Sequence, residues 1–170
     1  MVAYGVGNAE MKEYKSFGAF ARAMERAAVE LEVAYAAAME AGAVIVEASA
    51  DAEFGHYQRE NMGEFTPWAE LKDATKWQHN MAIVNGEAAP DAGENTPLLV
   101  KGNLREGIKH ESGPKQFVVG SESEIMVYQE LGTPEGIPPR PVLGTALYRD
   151  TEAVLNLVGQ AVEDTLVGKK

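Results

Sequence analysis

From Phe17 onward, apolar or small side chains recur at alternating steps of three and four: Phe17, Phe20, Met24, Ala27, Leu31, Ala34, Ala38, Ala41, Ile45 and Ala48. On a helix of 3.6 residues per turn this spacing draws one continuous stripe, so it predicts a single long helix and excludes a strand. Ser16 stands just before the stripe, where its hydroxyl can cap the first turn. Arg22, Glu25, Arg26, Glu32, Glu40 and Glu47 fall off the seam, and the alanines of the second half let another backbone come close. The helix is read first as lying on the protein's own sheet, with a coiled-coil seam between subunits as the alternative. Gly42 is expected to end or bend it, because glycine costs about 1 kcal/mol in a helix interior.

Downstream, residues 51–64 are polar and contain Gly55 and Gly63, which reads as a connection. A second helix is expected from a Thr66 cap with Pro67 at the first helical position, running to about Ile83 with Trp68, Leu71, Ala74 or Thr75, and Gln78 on its apolar face. Residues 84–97 carry Gly86, Pro90, Gly93 and Pro97 among several acids and read as a long exposed loop. One or other connection, 51–64 or 84–97, is expected to be mobile in the free protein and ordered by neighbours. The run from Gln116 to Val119 is β-branched and aromatic, and a strand pair is expected around residues 112–114. Residues 125–131 form another strand or a short helix, closed by Gly132, Thr133 and Pro134. Pro138, Pro139, Arg140 and Pro141 make an extended, nearly rigid strap. Leu147, Thr151, Val154, Val158, Val162 and Leu166 space out a C-terminal helix. The order of elements predicts an α+β fold: a long N-terminal helix, a second helix, a small antiparallel sheet, and a C-terminal helix packed on that sheet. At 170 residues the chain suits one domain over 1–170, with a flexible N-terminus at 1–15. No internal repeat is visible.

Charge and composition exclude several classes of function. Acids number 26 against 15 Lys and Arg, a net charge of -11, which opposes an unassisted grip on nucleic-acid phosphates. Without cysteine there is no disulfide, zinc-thiolate site or thiol nucleophile. No apolar run reaches the roughly 20 residues of a membrane helix, since the best candidate, residues 34–46, is broken by Glu40 and Gly42. The first 15 residues lack a basic start and an apolar run, so no secretory signal is expected. The stretch from Gly102 to Lys109 fails as a phosphate-binding loop, because Ile108 follows Gly107 and His110 follows Lys109, leaving no Lys-Ser/Thr pair for phosphate and magnesium. Gly5 and Gly7 are too few for a dinucleotide fingerprint. His56, His79 and His110 lie far apart, with Glu53 and His56 the nearest approach to a metal pair. The acid pairs Asp51 with Glu53 and Glu122 with Glu124 read as solvated faces. No catalytic, cofactor or metal site is expected, and the chain is read as a non-enzyme.

Two segments carry a resemblance. Tyr128-Gln129-Glu130-Leu131-Gly132-Thr133, a short loop, then Pro138-Pro139-Arg140-Pro141-Val142-Leu143 and Ala146-Leu147 leading into a terminal helix, together resemble the minor neck and tail-completion proteins of tailed phages. Leu98, Gly102, Leu104 and Ile108 are similar to the turn and strand that precede these devices in that family. Thr66-Pro67-Trp68-Ala69-Glu70-Leu71 and Thr75 look like the related virion-morphogenesis branch. The similarity covers residues 66–170. It departs at Val142, where the family often has an aromatic, and in the long region 51–97.

The resemblance implies a structural virion protein, made in the bacterial cytoplasm, that joins tail to head around a DNA channel. Its partners would be copies of itself in a hexameric or dodecameric ring, neighbouring neck, connector and tail-tube proteins, and DNA passing through the lumen without specific binding; no membrane and no cofactor are involved. The interface residues expected are Phe17, Met24 and Leu31 on the first helix, and Glu130, Gly132, Thr133, Pro138, Pro139, Arg140 and Pro141 around the strap. Arg140 is expected to be displayed between the prolines and to pair with a carboxylate such as Glu130. A small enzyme or ligand-binding protein with an acidic site, and a transient assembly factor, are the alternatives.

Overall fold

In the computed structural model, residues 13–167 are described; most of the N-terminal segment 1–15 lies outside them. Helix α1 (Phe17–Glu53) begins where the stripe begins, and the Ser16 hydroxyl accepts a hydrogen bond from the Ala19 N–H at 3.2 Å. It does not end at Gly42 but continues unbroken for 37 residues. The reason lies across the fold. A Cβ at Gly42 would sit 3.2 Å from Phe117 Cε1 and 3.4 Å from Val154 Cγ1, so close packing by two other elements outweighs the poor helix propensity. The connection placed at 51–64 therefore starts only at Phe54, whose ring anchors the core.

Helix α2 (Asp73–Val84) starts later than Thr66 and Pro67 imply. The Trp68 N–H donates to the Gln58 carbonyl at 3.0 Å and the Leu71 N–H to the Tyr57 hydroxyl at 3.0 Å. Those tertiary bonds hold the backbone extended, and the buried Trp68 and Leu71 pin it there. The 85–102 region has its own ties: the Ala89 N–H donates to the Val100 carbonyl at 2.7 Å, the Gly55 N–H reaches the Pro97 carbonyl at 2.9 Å, and Pro97 is fully buried.

A short helix α3 (Asn103–Glu106) leads into a two-stranded antiparallel hairpin, β1 (Ile108–Ser112) with β2 (Phe117–Ser121), in which Ile108 faces Ser121 and Ser112 faces Phe117. The strand pair falls where the sequence places it. Residues 125–131 are resolved as helix α4 (Glu124–Leu131), and α5 (Leu143–Val167) is the last element among the described residues. The second half of α1 packs against both α5 and the hairpin. Between them lies the core: Val46, Ala50, Phe54, Trp68, Leu99, Ile108, Met126, Val142 and Ala146. The alanines at 43, 50 and 146 are fully buried, which lets the helix axes approach. The architecture is the expected α+β, with the sheet reduced to one hairpin.

Candidate interface sites

Glu130, on the last turn of α4, turns its carboxylate onto the start of α5. It accepts hydrogen bonds from the backbone N–H groups of Val142 at 2.8 Å, Leu143 at 3.1 Å and Gly144 at 2.7 Å. The first amides of a helix have no partner within it, and an anion there also meets the positive end of the dipole. Gly132 follows with φ +72, and a Cβ would lie 2.9 Å from the Ile137 carbonyl oxygen. Only glycine fits that approach. The Thr133 N–H bonds the Ile137 carbonyl at 3.0 Å, closing a small loop before the strap. Pro138 is partly buried, Pro139 exposed and Pro141 buried. The Arg140 N–H donates to the Gln129 carbonyl at 2.6 Å, so the strap runs back along α4.

The expectation that Arg140 is displayed and pairs with Glu130 does not hold. Arg140 is 6% exposed, and its Nη2 donates to the Ala69 carbonyl at 3.0 Å. Glu130 is occupied by the α5 amides. The strap, tied to α4 by the Arg140 N–H, sends its one long side chain inward, toward the extended 66–72 segment.

The α1 residues form a different surface. Phe17 is 83% exposed and Met24 41% exposed, whereas Leu31 is partly covered. Tyr14 meets the Phe20 ring edge-on, with centroids 5.3 Å apart. Further along α1 the buried face steps off that stripe by about one residue: Ala38, Met39, Gly42, Ala43, Val46 and Ala50 are buried, whereas Ala41 and Ile45 are partly covered and Ala48 is exposed. The second half of α1 is thus packed against the protein itself along a face next to the stripe, and the stripe of the first half is open. Phe17 and Glu53 stand about 50 Å apart along the helix axis, and Glu53 is buried against Arg149 of α5, two turns into that helix. The strap residues and the α1 residues consequently form two distant surfaces and are not one site.

The sequence pattern missed a cluster that fastens the hairpin to α1. His110 Nδ1 bonds the Glu47 carboxylate, His110 Nε2 lies 3.3 Å from Glu40, and the Ser112 hydroxyl donates to Glu40. The bonds to Glu47 and Glu40 raise the His110 pKa above its ordinary value, and those from Ser112 and His110 lower that of Glu40. Two acids seven apart on a helix share a face, which was the available signal. Elsewhere, burial lowers the pKa of His79 against a hydrogen bond to the Gly93 backbone. Among the described residues no group of three or more His, Asp or Glu could hold a metal ion, and no helix is long and apolar enough to cross a membrane. No family model, no curated protein and no solved structure matches the chain.

Proposed function

We propose that this chain is a structural subunit of a tailed-phage neck or tail-completion assembly, forming a hexameric or dodecameric ring that joins tail to head around the DNA channel. The observation that carries the reading is the division of α1 into a packed half and an open half. The helix runs from a half packed under α5 and the hairpin into a half whose apolar stripe exposes Phe17, Phe20 and Met24. Exposed apolar rows of this kind on a folded chain mark protein contacts, and aromatic residues dominate such contacts. The rigid turn and strap from Gly132 to Pro141, braced on α4, offer a second fixed surface that loses little entropy on docking. An acid excess facing a lumen would keep passing DNA from sticking.

Two measurements test this. Sedimentation of the purified protein is expected to give a closed oligomer, and Phe17→Asp with Met24→Asp to give a monomer of unchanged helicity. In a phage that encodes the chain, its loss is expected to leave heads and tails that do not join. A wild-type monomer at all concentrations sinks the ring, and normally joined particles sink the neck role.

A further inference from the structure

Helix α5 has a second apolar face. Its inner face meets α1, with Ala146 in the core and Val154 against Gly42. Beside it Thr151, Leu155, Gly159, Val162 and Leu166, at steps of four, four, three and four, draw another stripe. Leu155 is 65% exposed and Leu166 61%, while Val162 is partly covered. Gly159 sits within the helix, where glycine is the poorest residue after proline. At Gly42 that cost is offset by the elements packed there; at Gly159 nothing lies within 4 Å of where a Cβ would stand. The stripe therefore carries an open notch that no described residue fills.

Helix α1 carries a ridge that matches it. On the face opposite Phe17, Phe20 and Met24 stand Arg22, Arg26, Val29, Val33 and Ala37, all exposed, Val29 by 64% and Val33 by 68%. Their steps, four, three, four and four, repeat the α5 steps read backward from Leu166. Laid antiparallel in that register, Val29 enters the Gly159 notch and Val33 meets Leu155, so a branched side chain falls where the stripe has none. Charge agrees with the direction. Arg22 and Arg26 come to the carboxyl end of α5, beside Glu163 and the negative end of the helix dipole. Among the described residues neither arginine makes an ion pair.

Ridge and notch of one subunit cannot meet each other. Within the subunit α5 runs antiparallel to α1, with Arg149 at Glu53 and Val154 at Gly42. Gly159, five residues past Val154, comes level with about Ala37 and stays roughly 12 Å from Val29 along the axis.

We propose that α5 of one subunit receives α1 of a second copy, residues 22–37 lying antiparallel on the stripe 151–166 with Val29 at Gly159. The contact joins two different surfaces, so each pair keeps a free ridge and a free notch and extends head to tail, the kind of contact from which rings close. It deepens the ring reading above and rests on it for closure. The apolar side chains carry the affinity, and the arginines fix the direction.

The chain has no cysteine, so single introduced cysteines report the contact cleanly. Full-length Val29→Cys and Gly159→Cys are oxidised separately and as an equal mixture; a disulfide needs Cα atoms within about 7 Å. A linked dimer is expected in the mixture and not in either variant alone, and a chain carrying both substitutions is expected to give a ladder of linked species ending in a closed ring. Gly159→Leu, checked for helicity by circular dichroism, is expected to weaken self-association about tenfold or more in sedimentation. Val29→Cys that links to itself overturns the proposal, as does a folded Gly159→Leu that assembles like wild type. A mixture that stays unlinked where wild type sediments as an oligomer overturns the contact and leaves the ring standing. A linked mixture whose ladder stays open keeps the contact and sinks the ring, and wild type that is monomeric at every concentration sinks both.

Discussion

A carboxylate that meets three amides at the start of a helix holds two elements together. Glu130 links the end of α4 to the first turn of α5, and Glu130→Ala is expected to lower stability by roughly 1–2 kcal/mol, the upper range for loss of a helix cap. Urea unfolding followed by circular dichroism measures it, and an unchanged midpoint would deny Glu130 this role. His110 gives a pH dependence instead. Its pKa is raised from 6.5 by Glu47 and Glu40, so its contribution is full below that ordinary value and is lost as pH climbs through the raised one. Glu40, lowered from 4.5 chiefly by Ser112, contributes fully above 4.5 and loses its effect as pH falls through its depressed value. The stability gap between wild type and His110→Gln is therefore expected to be widest at mildly acidic pH and to narrow as the solution is made alkaline. Thermal unfolding of both proteins across that range checks the sign, and a gap that widens with rising pH refutes it.

At the scale of elements, α1 behaves as two halves. The first turns around Phe17, Phe20 and Met24 are exposed, and short helical stretches without tertiary packing are marginal in water. Hydrogen exchange is expected to be fast there in the free subunit, slow past Ala38, and slow throughout once the open stripe is covered by assembly. Uniform slow exchange in the free subunit would contradict this. Gly42 marks the packed half: with Phe117 and Val154 already at contact distance from the site of a Cβ, Gly42→Leu is expected to cost about 1–3 kcal/mol through overpacking, read from its denaturation midpoint. The long helix was legible because its cap and period are local. The same holds for the hairpin, whose strands flank a tight turn. The start of α2 was not legible, because Thr66 and Pro67 are sound local signals overruled by the distant partners of Trp68 and Leu71. Arg140 was misread for the same reason. Its inward course depends on the Ala69 carbonyl, 71 residues away, and no spacing encodes that.

For the whole molecule, a net charge of -11 on each copy sets the terms of self-association. Like-charged subunits repel, and salt at about 0.15 M confines that repulsion to roughly 8 Å. Association through the apolar face of α1 is expected to strengthen from low to physiological salt in sedimentation experiments; weakening would mean that ion pairs carry the contact. The closing helix has a further consequence. Glu53 finds its partner Arg149 only 96 residues later, and Gly42 meets Val154 across a similar span. A ribosome must therefore extrude nearly the whole described chain before the alanine-lined groove of α1 can be filled. Loop closure over such distances is slow, so until α5 emerges, the nascent polypeptide presents a bare apolar helix to the cell. Folding waits until α5 has been made, and chaperone engagement is concentrated in that interval.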